Sequence, residues 1–196
     1  MLESSYKVIF LGEEDVGKMN IINSFVYGIS SGNSIGSSGN INKSLILEDG
    51  KSITFDLFDT PEKEKYNKIY KNFYENTKVI IFVYDITNKK SFDKIKNYWY
   101  KQSKKYLVES EIIYALVGNN CDLYEQQEVN NDETEEFAQN LDAIFTLISN
   151  KDNDKVQSLF ENIAKILIRK EENKKVVKDD EKINNKIKQK GKCIIC

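Results

Sequence analysis

Four short hydrophobic runs lie along the chain, and each is nearly continuous rather than alternating with polar residues. They are "YKVIFLG" (6–12), "VIIFVYD" (79–85), "EIIYALVG" (111–118) and "AIFTLIS" (143–149). A strand that is apolar on both faces is typical of a parallel sheet covered by helices on both sides. The runs therefore predict four strands that are buried on both faces.

Segments with helical periodicity follow these strands. They are "KMNIINSFVY", "SFDKIKNYWYKQSKKY", "DETEEFAQNL" and "KVQSLFENIAKILIRK". The last segment places six apolar residues on one stripe, Val156, Leu159, Phe160, Ile163, Ala164 and Leu167. Alternating strands and helices predict an α/β fold with three layers, in which a doubly wound, mainly parallel sheet lies between helices.

One segment breaks this alternation. "KSLILEDGKSITFDLFD" contains two strand-like runs joined by Asp49-Gly50. These two residues favour a type I′ hairpin turn, in which both central residues need a positive φ. We therefore predict a sheet of six strands with one antiparallel edge strand.

Two stretches have little to bury. Residues 28–40, "GISSGNSIGSSGN", are rich in Gly, Ser and Asn and predict either a plain flexible connection or a loop that a ligand orders. After residue 170 the apolar stripe stops and the chain becomes rich in Lys and Asn, which predicts disorder. We therefore expect a globular domain at 1–170 and a flexible basic tail at 171–196.

Composition narrows the possible chemistry. The chain of 196 residues is long enough for one ordinary domain, and its net charge of −2 indicates no polyanion-binding role, so we expect no nucleic-acid partner. It contains no histidine, which excludes Ser/His/Asp triads and His-ligated metal sites. With three cysteines, no long apolar run and no apolar leader, we expect a cytosolic protein.

A candidate phosphate-binding loop follows the first hydrophobic run. "GEEDVGKM" fits the pattern G-x-x-x-x-G-K-[ST] at Gly12, Gly17 and Lys18, but Met19 replaces the hydroxyl residue. The loop lies between a strand and an amphipathic helix, so backbone N–H groups and the positive end of the helix dipole would point at one phosphate. This context favours a phosphate loop over a plain strand-turn-helix.

Downstream motifs resemble the small Ras-like GTPases, the Rab branch in particular. "DGKSITFDLFDTPEKE", "FYENTKVIIFVYDITN" and "VGNNCDL" align with this family over about residues 5–170, and the spacings from Lys18 to Ser37 and to Asp59 also agree. The resemblance implies a P-loop GTPase fold that binds GTP or GDP with Mg²⁺. It also implies effector and regulatory proteins as partners, and we expect a monomer.

The resemblance implies roles for individual residues. Lys18 would contact the β- and γ-phosphates, and Asp59 would hold Mg²⁺ through water, with Ser37 as a second ligand. Asn119 would brace the loops, and Asp122 would pair with the guanine edge. The other nucleotide-binding positions implied are Gly12, Asp15, Val16, Gly17, Met19, Glu62, Asn120, Ser149, Asn150 and Lys151.

Several of these positions depart from the family pattern. The thioether of Met19 is a poor ligand for Mg²⁺, which prefers hard oxygen ligands. Glu62 replaces the glycine that contacts the γ-phosphate, and a carboxylate about 4 Å from a phosphate oxygen would cost about 4 kcal/mol. Lys63 replaces the glutamine that orients the attacking water, and lysine has no acceptor for it. We therefore predict weak metal binding, and hydrolysis that is slow or lost.

The base site and the phosphate loop also differ in charge and shape. Asn120 replaces a lysine, and Ser30 stands where the family has a stacking aromatic residue, so guanine selection is only partly supported. Three acids, Glu13, Glu14 and Asp15, lie in the loop, and we expect their side chains to project into solvent.

The chain ends in "GKCIIC", which resembles a C-a-a-X prenylation box with Cys193 as acceptor and Cys196 as the last residue. Five lysines precede it, Lys182, Lys186, Lys188, Lys190 and Lys192. A single prenyl chain binds membranes weakly, but lysines near an anionic surface add about 1 kcal/mol each. A redox or zinc pair of cysteines is the alternative reading.

Together these features predict a Rab-like small GTPase in vesicle trafficking, located on the cytoplasmic face of an intracellular membrane and impaired in GTP hydrolysis. The alternative is a pseudo-GTPase, a membrane-anchored interaction module without a nucleotide switch.

Overall fold

A computed structural model describes residues 5–28, 40–59, 73–108, 111–149 and 152–192, with side chains described up to residue 173. Its strands are β1 (Ser5–Leu11), β2 (Ile41–Ile46), β3 (Ser52–Asp59), β4 (Thr77–Asp85), β5 (Ile113–Asn119) and β6 (Ile144–Leu147). Its α-helices are α1 (Lys18–Tyr27), α2 (Lys89–Lys94), α3 (Tyr100–Tyr106), α4 (Asn131–Asn140) and α5 (Asn153–Lys192). A π turn (Ile95–Trp99) joins α2 to α3, and a 3₁₀ helix (Cys121–Gln126) follows β5.

The six strands form one sheet in the order β2-β3-β1-β4-β5-β6. Strand β2 pairs antiparallel with β3, and every other pair is parallel. The predicted six-stranded, mainly parallel sheet with one antiparallel edge strand is therefore confirmed. Because the parallel strands share a direction, their carboxyl ends meet at one edge of the sheet, where ligands bind in doubly wound folds.

The central strands are buried because helices cover them. In β5 every residue is buried, and in β4 only Lys78 and Asp85 are partly exposed. One core cluster lies around Trp99, Phe82 and Phe92. A second aromatic cluster joins Phe25 and Phe160, whose rings stack 3.6 Å apart, and Phe55 packs edge-on against both.

The hairpin between β2 and β3 differs from the predicted type I′ turn. Gly50 has a φ of 79°, whereas Asp49 is not among the residues with positive φ. The amide of Leu47 donates to the carbonyl of Lys51, and the amide of Gly50 donates to the carbonyl of Leu47. This is a three-residue loop in which a single left-handed glycine follows a type I turn. Asp49 does not need a positive φ, because Gly50, the third residue of the loop, adopts the left-handed conformation.

The last helix continues beyond the predicted end of the domain. Helix α5 runs to Lys192, although residues 171–196 are predicted to be flexible from composition. The stretch contains no proline, and Lys and Glu are good helix formers, so a helix that already exists can continue at one hydrogen bond per residue. The boundary at residue 170 stays a prediction.

Contacts between residues divide the chain into two units, Met1–Glu161 and Asn162–Cys196. The first unit holds the sheet, helices α1 to α4 and the beginning of α5. The second holds the rest of α5. No helix in the described part of the chain combines the length and apolar character needed to cross a membrane.

Candidate functional site

The loop between β1 and α1 is shaped by two glycines. A Cβ atom at Gly12 would collide with the carbonyl oxygen of Val83 on β4, so the loop can approach that strand only with glycine there. Gly17 caps the N-terminus of α1 with a φ of 93°, a left-handed conformation that glycine adopts without strain. The structure therefore requires each glycine of the motif for a different reason: Gly12 allows close approach to β4, and Gly17 adopts a left-handed conformation before α1.

Lys18 is the first residue of α1, and it is 3% exposed. Its ammonium group donates hydrogen bonds to the carbonyl oxygens of Gly12 (3.1 Å) and Glu13 (2.7 Å). The loop therefore curls around a positive charge. The first amides of the helix have no acceptor within the helix, and they add partial positive charge at the same end.

Asn119 connects the end of β5 to this loop. It is 1% exposed, and its side-chain amide donates to the carbonyl of Val16 at 2.9 Å. Its Oδ1 atom is buried and has no hydrogen-bond partner among the described residues. Asn119 thus joins β5 to the phosphate loop by a hydrogen bond, with a buried acceptor beside it, and the role that the resemblance implies for it stays a prediction.

Asn120 is held by an acid that the sequence analysis did not identify. It has a φ of 62°, and its side-chain amide donates to Oδ2 of Asp85 at 2.8 Å. Oδ1 of Asp85 accepts from the amide and the hydroxyl of Thr87. The side chain at the family's lysine position therefore points to the end of β4. The sequence does contain a signal for Asp85. It ends the hydrophobic run "VIIFVYD", which places its carboxylate at the carboxyl edge of the sheet, where the phosphate loop also lies.

The loops after β5 and β6 are hydrogen-bonded to each other. The amide of Ile148 donates to the carbonyl of Gly118 (2.8 Å), and the amide of Cys121 donates to the carbonyl of Ile148 (3.0 Å). Ser149 is buried, and Asp122 is exposed in the first turn of the 3₁₀ helix.

Burial raises the pKa of the Cys121 thiol, which keeps it protonated at neutral pH and gives it no evident chemical role.

The metal-binding side of the site is less complete. Asp59 ends β3 and lies opposite Phe10 in the register with β1, so it is at the same sheet edge as the loop. Met19, half-buried in the first turn of α1, offers sulfur where Mg²⁺ needs oxygen. The described residues contain no group of three or more Cys, Asp or Glu that could hold a metal ion.

The acids of the loop behave differently from one another. Glu14 and Asp15 are exposed, as predicted. Glu13 is half-buried, and its Oε1 accepts a hydrogen bond from the indole N–H of Trp99 at 3.3 Å. The prediction of a solvated side chain is therefore wrong for Glu13, because Trp99 comes from a helix distant in sequence.

Some candidate positions lie outside the described residues. The predicted metal ligand Ser37 and the departures from the family pattern at Glu62 and Lys63 are among them, as is most of the loop at 28–40. The other positions outside the description are Ser30, Asn150, Lys151, Cys193 and Cys196. Their roles stay predictions.

The described groups fit a nucleotide better than they fit a resident metal. A buried ammonium, a helix N-terminus and a glycine-shaped loop suit a phosphate group. The unpartnered oxygen of Asn119 and the exposed Asp122 are at the same sheet edge and suit a polar base. For Mg²⁺, the described part offers the Asp59 carboxylate, with a thioether where a second oxygen would be expected.

This buried lysine in a glycine loop, at the carboxyl edge of a doubly wound sheet, defines a P-loop nucleotide-binding protein. The model of the Ras family matches residues 7–169, and the chain belongs to that family as a Rab-like small GTPase. Rab-like small GTPases bind GTP and GDP with Mg²⁺, interact with effectors and regulators, and act in vesicle trafficking.

Relatives of the Rab type match most of the chain. The Ras-related protein RabC of Dictyostelium discoideum is 31% identical over 194 residues, which cover 97% of this chain and 98% of that protein. Human Rab-39A is 30% identical over 79% of this chain and 74% of its own length. Human Rab-30 is 30% identical over 83% of this chain and 80% of its own length. Rab homologues are peripheral membrane proteins.

Proposed function

We propose that this protein is a Rab-like GTPase that binds GDP and GTP through a site with weakened Mg²⁺ affinity, and that it hydrolyses GTP slowly. The observation that carries this proposal is the position of Lys18, buried and hydrogen-bonded to the carbonyls of Gly12 and Glu13. A charge already fixed in the loop requires little rearrangement when a diphosphate binds, so affinity is retained.

The loop can attract phosphate without a strong metal site. The ammonium of Lys18 and the amides at the start of α1 supply positive charge directly, whereas Mg²⁺ would act through Asp59 and the residue at position 19. Met19 removes a direct oxygen ligand, so the metal should add less affinity than it does where a hydroxyl is present. GDP binding should therefore depend little on Mg²⁺.

Slow hydrolysis follows from two residues outside the described part of the chain. Lys63 replaces the glutamine that orients the attacking water and offers no acceptor for a water proton. Glu62 adds a negative charge near the expected γ-phosphate. A GTP-bound state that persists is the consequence.

The basic C-terminal segment supports reversible attachment to an intracellular membrane. Cys193 would carry a prenyl group, with Cys196 as the end of the box, and the preceding lysines would contact an anionic lipid surface. A chain that carries only one of these two signals should bind membranes weakly.

The second candidate is a pseudo-GTPase without a nucleotide switch. The half-buried Met19 in the first turn of α1 favours it, since this residue weakens the metal site. In that case the fold would serve as a membrane-anchored interaction module whose shape does not respond to the γ-phosphate.

The test is to release nucleotide by heat from freshly purified protein and to identify it by chromatography, followed by calorimetry with GDP in Mg²⁺ and in EDTA. The proposal predicts GDP or GTP near one per chain, similar GDP affinity in both buffers, and GTP turnover that rises in Lys63→Gln. Lys18→Ala is the control and should purify without nucleotide. Empty wild-type protein that gives no heat at millimolar GDP would favour the interaction module.

A further inference from the structure

Trp99 is the single tryptophan of the chain, and it lies in the π turn between α2 and α3. It is 1% exposed, so its indole N–H has to find an acceptor inside the protein. That acceptor is Oε1 of Glu13, at 3.3 Å. A helix on the face of the sheet therefore contacts the phosphate loop through one polar hydrogen bond.

Glu13 is consequently fixed at two points. Its carbonyl oxygen accepts from the ammonium of Lys18 at 2.7 Å, and its carboxylate accepts from Trp99. The main chain of Glu13 thus belongs to the group that surrounds the expected phosphate, while its negative charge is held at the indole. Without the second contact, the carboxylate could rotate toward the same ammonium.

We propose that Trp99 is a positioning residue that keeps the Glu13 carboxylate away from bound phosphate, which allows an acidic loop to bind a nucleotide. This inference rests on the proposed function. A carboxylate that approaches a phosphate repels it, and the repulsion is larger in a partly buried loop than in water. Loss of the Trp99 contact should therefore weaken GDP binding about tenfold.

The charge and the contact can be separated by substitution. Trp99→Phe keeps an aromatic ring but removes the N–H donor. Glu13→Asp keeps the charge but shortens the side chain by one methylene, so it no longer reaches the indole. Glu13→Gln keeps the length and an acceptor oxygen but removes the charge. Glu14→Gln, at the adjacent exposed acid, is the matched control.

Calorimetry with GDP in EDTA should show about tenfold weaker binding for both Trp99→Phe and Glu13→Asp. In the Glu13→Gln background, Trp99→Phe should have no further effect, since no charge remains to be positioned. If Trp99 only fills the core, its substitution weakens GDP binding equally in both backgrounds, and the inference is overturned. Unchanged binding by Glu13→Asp overturns it as well, even if Trp99→Phe fails to fold.

Fluorescence of the nucleotide-free protein gives a second readout. The wavelength of maximal Trp99 emission should shift in Glu13→Asp, because the indole loses a charged acceptor. It should not shift in Glu14→Gln. Equal spectra for these two variants contradict the inference. If the wild-type protein binds no GDP, the proposed function fails together with the inference. Normal GDP binding with no effect of Trp99→Phe rejects the inference alone.

Discussion

Lys18 and Met19 are neighbours in the first turn of α1, and they affect the site in opposite ways. The lysine is buried and hydrogen-bonded to the loop, so it is organised before any ligand arrives. The methionine places a soft sulfur atom at the position where the family has a hydroxyl. We therefore expect phosphate binding and metal binding to be separable in this protein by single substitutions.

Met19→Thr should restore the missing oxygen ligand. We expect GDP affinity in Mg²⁺ to rise by about tenfold, since one hard ligand is returned to the octahedral shell, and affinity in EDTA to stay unchanged. Calorimetry in the two buffers measures the difference. Met19→Leu has a similar size without the oxygen and should leave both affinities as they are. A rise in EDTA as well would show that the substitution acts through the loop and not through the metal.

At the scale of elements, two clusters hold helices in place. Phe160 on the first turns of α5 stacks on Phe25 of α1, and Phe55 of β3 packs edge-on against both. On the other side of the sheet, Lys89 of α2 and Lys96 of the π turn both contact Glu133 of α4. The aromatic cluster is apolar and buried, whereas the cluster of ion pairs is partly exposed.

Phe160→Ala should remove the centre of the aromatic cluster. The ring is fully buried, so we expect the free energy of unfolding to fall by about 3–5 kcal/mol, from lost apolar burial and from the cavity left behind. Chemical denaturation measures the change. Phe160→Leu should cost less, because it leaves a smaller cavity. Similar losses for both variants would contradict the packing account.

Glu133→Gln should reduce stability in a pH-dependent way. Hydrogen bonds from Lys89 and then Lys96 hold the pKa of the Glu133 carboxyl below its usual value. A lowered pKa in the folded state stabilises the protein above the unfolded value of about 4.3, and this contribution is lost as the pH falls through the folded pKa. Because the groups are partly exposed, the effect at neutral pH should be about 1 kcal/mol or less.

Thermal unfolding between pH 3 and pH 7 tests this prediction. The difference in Tm between wild type and Glu133→Gln should be at most about 2–4 °C at pH 7, and it should decrease as the pH falls toward the lowered pKa of the Glu133 carboxyl. Glu136→Gln, an exposed acid on the same helix, is the control and should show little difference at either pH. A constant difference across the range would indicate that the ion pairs are not its cause.

At the scale of the whole molecule, the long last helix is the main departure from the sequence analysis. Composition alone predicted a flexible chain after residue 170, whereas α5 extends to Lys192. A helix rises 1.5 Å per residue, so a helical segment has a shorter and better defined reach than an extended chain of the same length. The reach of the basic segment that we propose to bind the membrane depends on this difference.

Truncation after residue 172 should lower the helical signal of the protein in circular dichroism. The difference spectrum between the full chain and the truncated chain should be that of a helix, since residues 173–192 continue α5. The Tm should change little, because the removed residues follow the apolar stripe. A difference spectrum typical of unfolded chain would return the segment to the originally predicted flexible tail.

The order of strands and helices was predictable because it depends on local patterns. Continuous apolar runs predicted β1, β4, β5 and β6, although β6 is an edge strand whose residues are only half-buried. The segment that became α1 was identified with both of its ends. The glycines of the loop were identified from their spacing, but the spacing does not explain why position 12 has to be glycine. That reason is the carbonyl of Val83, which belongs to a strand distant in sequence.

Parts of the site could not be predicted because they join residues far apart in the chain. The hydrogen bonds from Asn120 to Asp85 and from Trp99 to Glu13 each link two separate elements. Nothing in the local sequence of Glu13 distinguishes it from Glu14, and both were expected in solvent. Only the position of the π turn beside the loop distinguishes them.

The sequence by itself determined the fold class, the phosphate loop and the resemblance to Rab proteins, because periodicity and motif spacing are properties of neighbouring residues. The tertiary structure decided the direction of Asn120 and the partner of Glu13. Those features depend on which side chains meet when strands and helices pack, and packing brings together residues that the sequence keeps apart.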